Sequence, residues 1–231
     1  MKKLFVLSVF ILSLPNLAGA GVLCNGKTTH ALEECAQSNF KLSDDQLNVF
    51  YKDFSSKLSR DQKALLVDAQ REWIKYKEST CQAAYDATSP GEEAGIDKWT
   101  CLDEVTRARI NELHYLDSGI GGDSFLHAVD VVAKLYEGGN RDRFIEKLSK
   151  QPASKDDQHW GAYVSKNCIL AVQRLHEERN LCVARQNFYS YPLRCGHGPA
   201  ICPTCDVMAR SWAQSISPPI TSSREMCGEM I

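Results

Sequence analysis

The chain has 231 residues, 43% apolar and 24% charged, and its 27 Lys plus Arg nearly balance 29 Asp plus Glu. That composition belongs to a folded globular protein and excludes a disordered acidic tail, a collagen-like rod and a strongly basic nucleic-acid binder. Ten cysteines are the unusual feature.

Residues 1–20 read as a secretory signal. Lys2 and Lys3 precede the apolar stretch Leu4 to Leu14, and Ala18-Gly19-Ala20 supplies small residues for cleavage near Ala20. The mature chain is expected to start at Gly21, in a periplasmic or secreted location. No Cys follows Leu17-Ala18-Gly19 directly, so an acylated lipoprotein is not expected. No later stretch reaches the ~18 apolar residues of a transmembrane span. In an oxidising compartment an even cysteine count reads as a disulfide framework. The candidates are Cys24, Cys35, Cys81, Cys101, Cys168, Cys182, Cys195, Cys202, Cys205 and Cys227.

In chain order, a polar segment with Cys24 and Cys35 leads to Ser43-Asp44-Asp45-Gln46. This capping-box pattern predicts the start of a helix carrying Leu47, Phe50, Tyr51, Phe54 and Leu58. A second box, Ser59-Arg60-Asp61-Gln62, opens a longer helix with Leu65, Leu66, Ala69, Trp73 and Tyr76, ending near Cys81 and the turn Ser89-Pro90-Gly91. A third helix is predicted from about Trp99 to Leu116. The run Asp117 to Asp123 holds three Gly in four residues and reads as a linker. Beyond it, Phe125 to Tyr136 and Arg141 to Lys150 read as helices, and Asp156 to about Tyr189 as one long helix or two. The tail from Pro192 is rich in Pro, Cys and Ser and reads as disulfide-tied loop. No period-2 apolar run competes, so the expected fold class is all-α.

Laying the halves side by side exposes an internal repeat. Trp73, Tyr76 and Cys81 stand in the pattern WxxYxxxxC, and Trp160, Tyr163 and Cys168 repeat it at identical spacing. Cys101 and Cys182 follow the respective copies. The expected organisation is a helical domain over 21–118, a second helical module over 119–191 and a Cys-rich tail over 192–231. Residues three apart on a helix share a face, so Trp73 and Tyr76 are expected in the core. A Cys81–Cys101 bond would stabilise by ~3 kcal/mol on the chain-entropy model and hold the acidic loop Gly91 to Gly95 in place. With Glu92 and Glu93 at its centre, that loop is the expected partner-binding element.

These residues resemble a known family, the LprI-like lysozyme inhibitors. The resemblance lies in Glu34-Cys35, in Gln70, Trp73 and Tyr76 with Cys81, and in Cys101 with Thr106, Arg109 and Leu113 spaced as TxxRxxxL. It covers about residues 24–116. It implies a small exported, disulfide-bonded helical domain whose motif residues are structural, and a protein partner, a lysozyme or another peptidoglycan-targeting toxin. The named member of the family is a lipoprotein, from which this chain departs. The expected function is occlusion of a peptidoglycan hydrolase at the cell envelope. Alternatives are an immunity protein neutralising an injected antibacterial toxin, or a non-catalytic envelope scaffold.

Charge fits a basic partner: residues 21–118 hold 12 Lys plus Arg against 17 Asp plus Glu, a balance of −5, whereas residues 119–231 hold 13 against 12. The tail run Cys195 to Cys205 contains a CxxC and His197, a possible zinc or redox set, but export favours disulfides, and no metal or cofactor is expected. GxSxG, HExxH and phosphate-binding Gly loops are all missing from the sequence. Glu33, Glu34, Glu92, Glu93 and Asp103 would be the carboxylates to consider for a glycosidase, and the histidines are scattered. An enzyme is not expected.

Overall fold

The computed structural model describes residues 22–150 and 158–194. The expected signal segment and the four tail cysteines Cys195, Cys202, Cys205 and Cys227 lie outside the described residues, as does the CxxC of the zinc alternative.

The described residues form seven α-helices and no strand. These are α1 (Thr29–Ser56), α2 (Arg60–Thr88), α3 (Ala94–Ser118), α4 (Gly122–Tyr136), α5 (Arg141–Ser149), α6 (Gln158–Leu175) and α7 (Arg179–Arg194). The all-α expectation holds.

Three helix boundaries depart from the sequence pattern; one is the start of α3, at Ala94 rather than about Trp99. Helix α1 begins at Thr29, where the Thr28 hydroxyl accepts from the Ala31 N–H at 3.2 Å, well before the expected start at Ser43. Ser43 is instead buried in mid-helix, its hydroxyl donating to the Phe40 carbonyl at 3.0 Å. Ala36 is buried and Phe40 packs against the core, with its ring 5.8 Å from Trp99, so the helix is already formed ahead of the local start signal. At the other end α7 runs to Arg194, past Pro192, where loop was expected. Phe188 and Ser190 just ahead are buried, and the helix continues past the proline despite the backbone donor it removes.

The second capping box is formed as its sequence predicts. Ser59 Oγ accepts from the Gln62 N–H and Gln62 Oε1 accepts from the Ser59 N–H, both at 3.3 Å, so two orphan donors of the first turn of α2 are satisfied reciprocally. Helix α3 ends on Gly119, in the left-handed region at φ 72°, whose N–H reaches the Tyr115 carbonyl at 2.7 Å. Only Gly119, Ile120 and Gly121 then separate α3 from α4. The span expected as one helix or two is two, α6 and α7, divided at His176 to Glu178.

Helices α1, α2 and α3 pack around Leu47, Phe54, Leu66, Trp73 and Leu113, and that core also takes in Trp160, Tyr163, Cys168 and Leu170 from α6. A second cluster joins Phe125, Val129 and Val132 of α4 to Leu148 of α5 and Phe188 of α7. Three disulfides staple neighbouring segments: Cys24–Cys35, Cys81–Cys101 and Cys168–Cys182. The second ties α2 to α3, and the third ties α6 to α7 in the same way.

Candidate functional site

The connection between α2 and α3 is a tight turn. The Gly91 N–H donates to the Thr88 carbonyl at 2.6 Å and the Ala94 N–H to the Gly91 carbonyl at 3.2 Å, while Cys81–Cys101 joins the two helices below. Helix α1 supplies the opposite wall. Thr29 Oγ1 donates to Glu92 Oε2 at 3.2 Å, and the Glu33 carboxylate lies directly over Gly95, where any Cβ would collide with it. The absence of a side chain at Gly95 leaves room for the Glu33 carboxylate, which a Cβ would push to another rotamer.

This contact brings Glu33 beside the turn that carries Glu92 and Glu93, with Glu34 next along α1. Glu34, Glu92 and Glu93 are exposed, and Glu34 faces His30 at 3.3 Å. Asp103 does not join them; it pairs with Arg107 at 2.9 Å on its own helix. The remaining histidines are dispersed: His114 stacks on Phe50 with ring centroids 3.8 Å apart, and His159 contacts Glu72. Burial pushes the His114 imidazole below its ordinary value, so it favours the neutral ring.

The motif residues lie elsewhere, in the interior. Trp73, Tyr76, Thr106, Arg109 and Leu113 are all buried, and Arg109 is only 1% exposed. Its guanidinium donates to Gln70 Oε1 at 2.9 Å, Tyr163 Oη at 3.0 Å and Asn167 Oδ1 at 2.8 Å. Asn167 passes the network on by donating to Glu112 at 2.6 Å. Glu112 meets Arg185, which also forms a two-pronged pair with Glu177, at 3.0 Å for each prong. Two cations and two carboxylates are thus buried together; Arg185 is paired with both carboxylates, whereas Arg109 is held by neutral acceptors through Nε and Nη1 and its buried Nη2 has no hydrogen-bond partner.

Burial opposes the charge on Arg185, but Glu112 and Glu177 outweigh it, and the guanidinium is held more firmly protonated than an ordinary arginine. Burial also pushes the Tyr163 hydroxyl up to about 12, keeping it a neutral donor to Gln186 at 3.2 Å. Trp160 is fixed by its indole N–H on Asn187 at 3.0 Å. Sequence reading did not find Glu112, Asn167, Glu177 or Gln186. The signal available was a charge or amide inside an apolar helical stripe, as with Glu112 between Ile110 and Leu113.

Among the described residues, no group of three or more His, Cys, Asp or Glu side chains is placed to hold a metal ion, and no helix is long and apolar enough to cross a membrane. Fold and site define a disulfide-stapled, all-α protein with an exposed acidic end and a buried polar lock. Residues 24–113, which contain that acidic end and Gln70, Trp73, Tyr76 and Arg109, match the family model described as "Lysozyme inhibitor LprI". No curated protein and no solved structure matches the chain.

Proposed function

We propose that this protein is an exported inhibitor of a lysozyme or another peptidoglycan hydrolase, and that it acts by binding and occlusion. The match of residues 24–113 to a lysozyme-inhibitor family carries the reading. Stapling by disulfides supports an extracytoplasmic setting, since such bonds persist in oxidising compartments.

The binding element in this reading is the acidic end formed by Glu33, Glu34, Glu92 and Glu93. A rigid turn loses little conformational entropy on binding, and negative potential accelerates encounter with a basic enzyme. Helices α2 and α3 set the position of the turn, Cys81–Cys101 fixes its base, and the buried network keeps α3 in register without touching the target.

The test is titration of the oxidised protein into lysozymes of different classes, recording cell-wall lysis and binding together. Saturable inhibition with a one-to-one endpoint, weakened by salt, is expected. Glu92→Lys with Glu93→Lys is expected to slow association ~tenfold or more while leaving the melting temperature unchanged, because both side chains are exposed. Tight inhibition that ignores both salt and the double charge reversal would remove the acidic end from the mechanism. Absence of binding to every class would move the protein to an immunity or scaffold role.

A further inference from the structure

The two sequence copies contact each other in a particular way. Trp73 and Trp160, Tyr76 and Tyr163, and Cys81 and Cys168 are each 87 positions apart (160 − 73). Their helices, α2 and α6, pack face to face and run in opposite directions. Asp68 meets Lys166 at 3.6 Å, Glu72 meets His159 at 3.0 Å, and the Tyr76 ring stacks on Trp160 at 4.8 Å. Between Asp68 and Tyr76 on α2 the partner position falls back from 166 to 160 on α6.

Position 72 plus 87 is 159, so Glu72 and His159 are the same position of the two copies. A contact between equivalent positions on antiparallel elements is the mark of a twofold axis, because only on such an axis does a site face itself. Tyr76 lies one turn from that axis, against the counterpart of Trp73. The cysteines repeat the relationship, with Cys81 bonded to the helix after α2 and Cys168 to the helix after α6. Away from the axis the copies have diverged: Arg109 of α3 lies 5.1 Å over the Tyr163 ring of α6, whereas Arg185 of α7 lies 4.0 Å over the Tyr115 ring of α3, which is not the equivalent position.

We infer that the α2–α6 contact is a twofold pairing interface fused into one chain, and that the α2 face bearing Glu72, Trp73 and Tyr76 is a self-pairing surface whose partner is a second copy of the same helical motif. In this chain the partner is supplied in cis by α6. If α6 is displaced, a second copy of α2 takes its place, with Tyr76 of each first half stacked on Trp73 of the other and the two Glu72 carboxylates facing across the axis, so the homodimer strengthens as pH falls and they take up protons.

The experiment uses the whole oxidised protein with a protease site inserted after Ile120, an exposed position between the two halves. All four cysteines described in the first half are bonded within it, so no disulfide joins the halves after cleavage. Mixing isotopically light and heavy cleaved protein and recording native mass spectra is expected to show first-half homodimers in equilibrium with one-to-one pairs of first and second halves. Trp160→Ala weakens the cis pairing alone and should raise the homodimer fraction ~tenfold or more. His159→Ala with Lys166→Ala removes only partly exposed contacts and provides a milder release should Trp160→Ala unfold the second half. Finding only one-to-one pairs and free monomers in all three preparations, at total concentrations up to ~100 µM, overturns the inference.

Discussion

Arg109 on α3 and Asn167 on α6 are joined by a hydrogen bond of 2.8 Å that ties the stretch matching the LprI family model to the second half of the chain. The arginine that closes the family's TxxR spacing therefore meets side chains from beyond residue 113, where the family match ends.

Removing this guanidinium strands Asn167, Tyr163 and Gln70 together and leaves Glu112 with one fewer cation near it. Arg109→Ala is expected to cost ~3–5 kcal/mol in chemical unfolding, the range for breaking a buried charged network. Arg109→Lys keeps the charge but loses the fork that serves Gln70 and Asn167 at once, so it should fall between the two. A loss below ~1 kcal/mol for the alanine variant would show that the network contributes little.

The Cys81–Cys101 bond closes a loop with a sequence separation of 20. Replacing both cysteines by alanine should lower stability by ~3 kcal/mol. Inhibition should fall further than stability predicts, since the acidic turn lies between the two cysteines. Mass mapping of the unreduced protein that found Cys81 and Cys101 as free thiols would contradict the pairing.

Acid should act on the α2–α6 contact through Glu72. Its hydrogen bond to His159, and then Lys75, hold the carboxyl below its ordinary value of 4.5. Because the folded-state value is depressed, the stabilisation is complete above the ordinary value and is lost as pH falls through the lowered one. Glu72→Gln should therefore melt below the parent at pH 7, and the gap should close as pH drops below ~4. A gap that stays constant from neutral to acid pH would show that the charge on Glu72 plays no part.

At the end of α6, His176 adopts φ 54°, in the left-handed region, with its side chain exposed. Glycine is the residue that ordinarily occupies such a helix terminus. His176→Gly should raise stability by ~0.5–1 kcal/mol, and thermal melting at fixed pH measures it. An unchanged or lower melting temperature would mean that the histidine makes a contact outweighing its backbone strain.

Comparing the two capping boxes shows what the sequence could and could not reveal. Ser59 and Gln62 cap α2, while Ser43 and Gln46, with the same spelling, sit inside α1. The difference is tertiary: Ala36 and Phe40 bury against the core ahead of Ser43 and carry the helix through it, whereas residues around Ser59 are exposed. Glu92 and Glu93 were readable as an exposed acidic turn, because Gly91 and Pro90 mark it locally. Their gathering with Glu33 depended on α1 crossing Gly95, which no short-range pattern encodes. The lock of Arg109, Asn167, Glu112 and Arg185 was hidden for the same reason, since each residue reads alone as an ordinary polar position.

The described disulfides link cysteines that are consecutive along the sequence: 24 with 35, 81 with 101, 168 with 182. For a chain threaded across a membrane from its amino end, each thiol meets its native partner as the next thiol to emerge. An oxidant that joins cysteines in order of appearance then produces these three bonds directly, with no reshuffling by an isomerase. For an exported chain, exchange chemistry among these six sulfurs would be unnecessary.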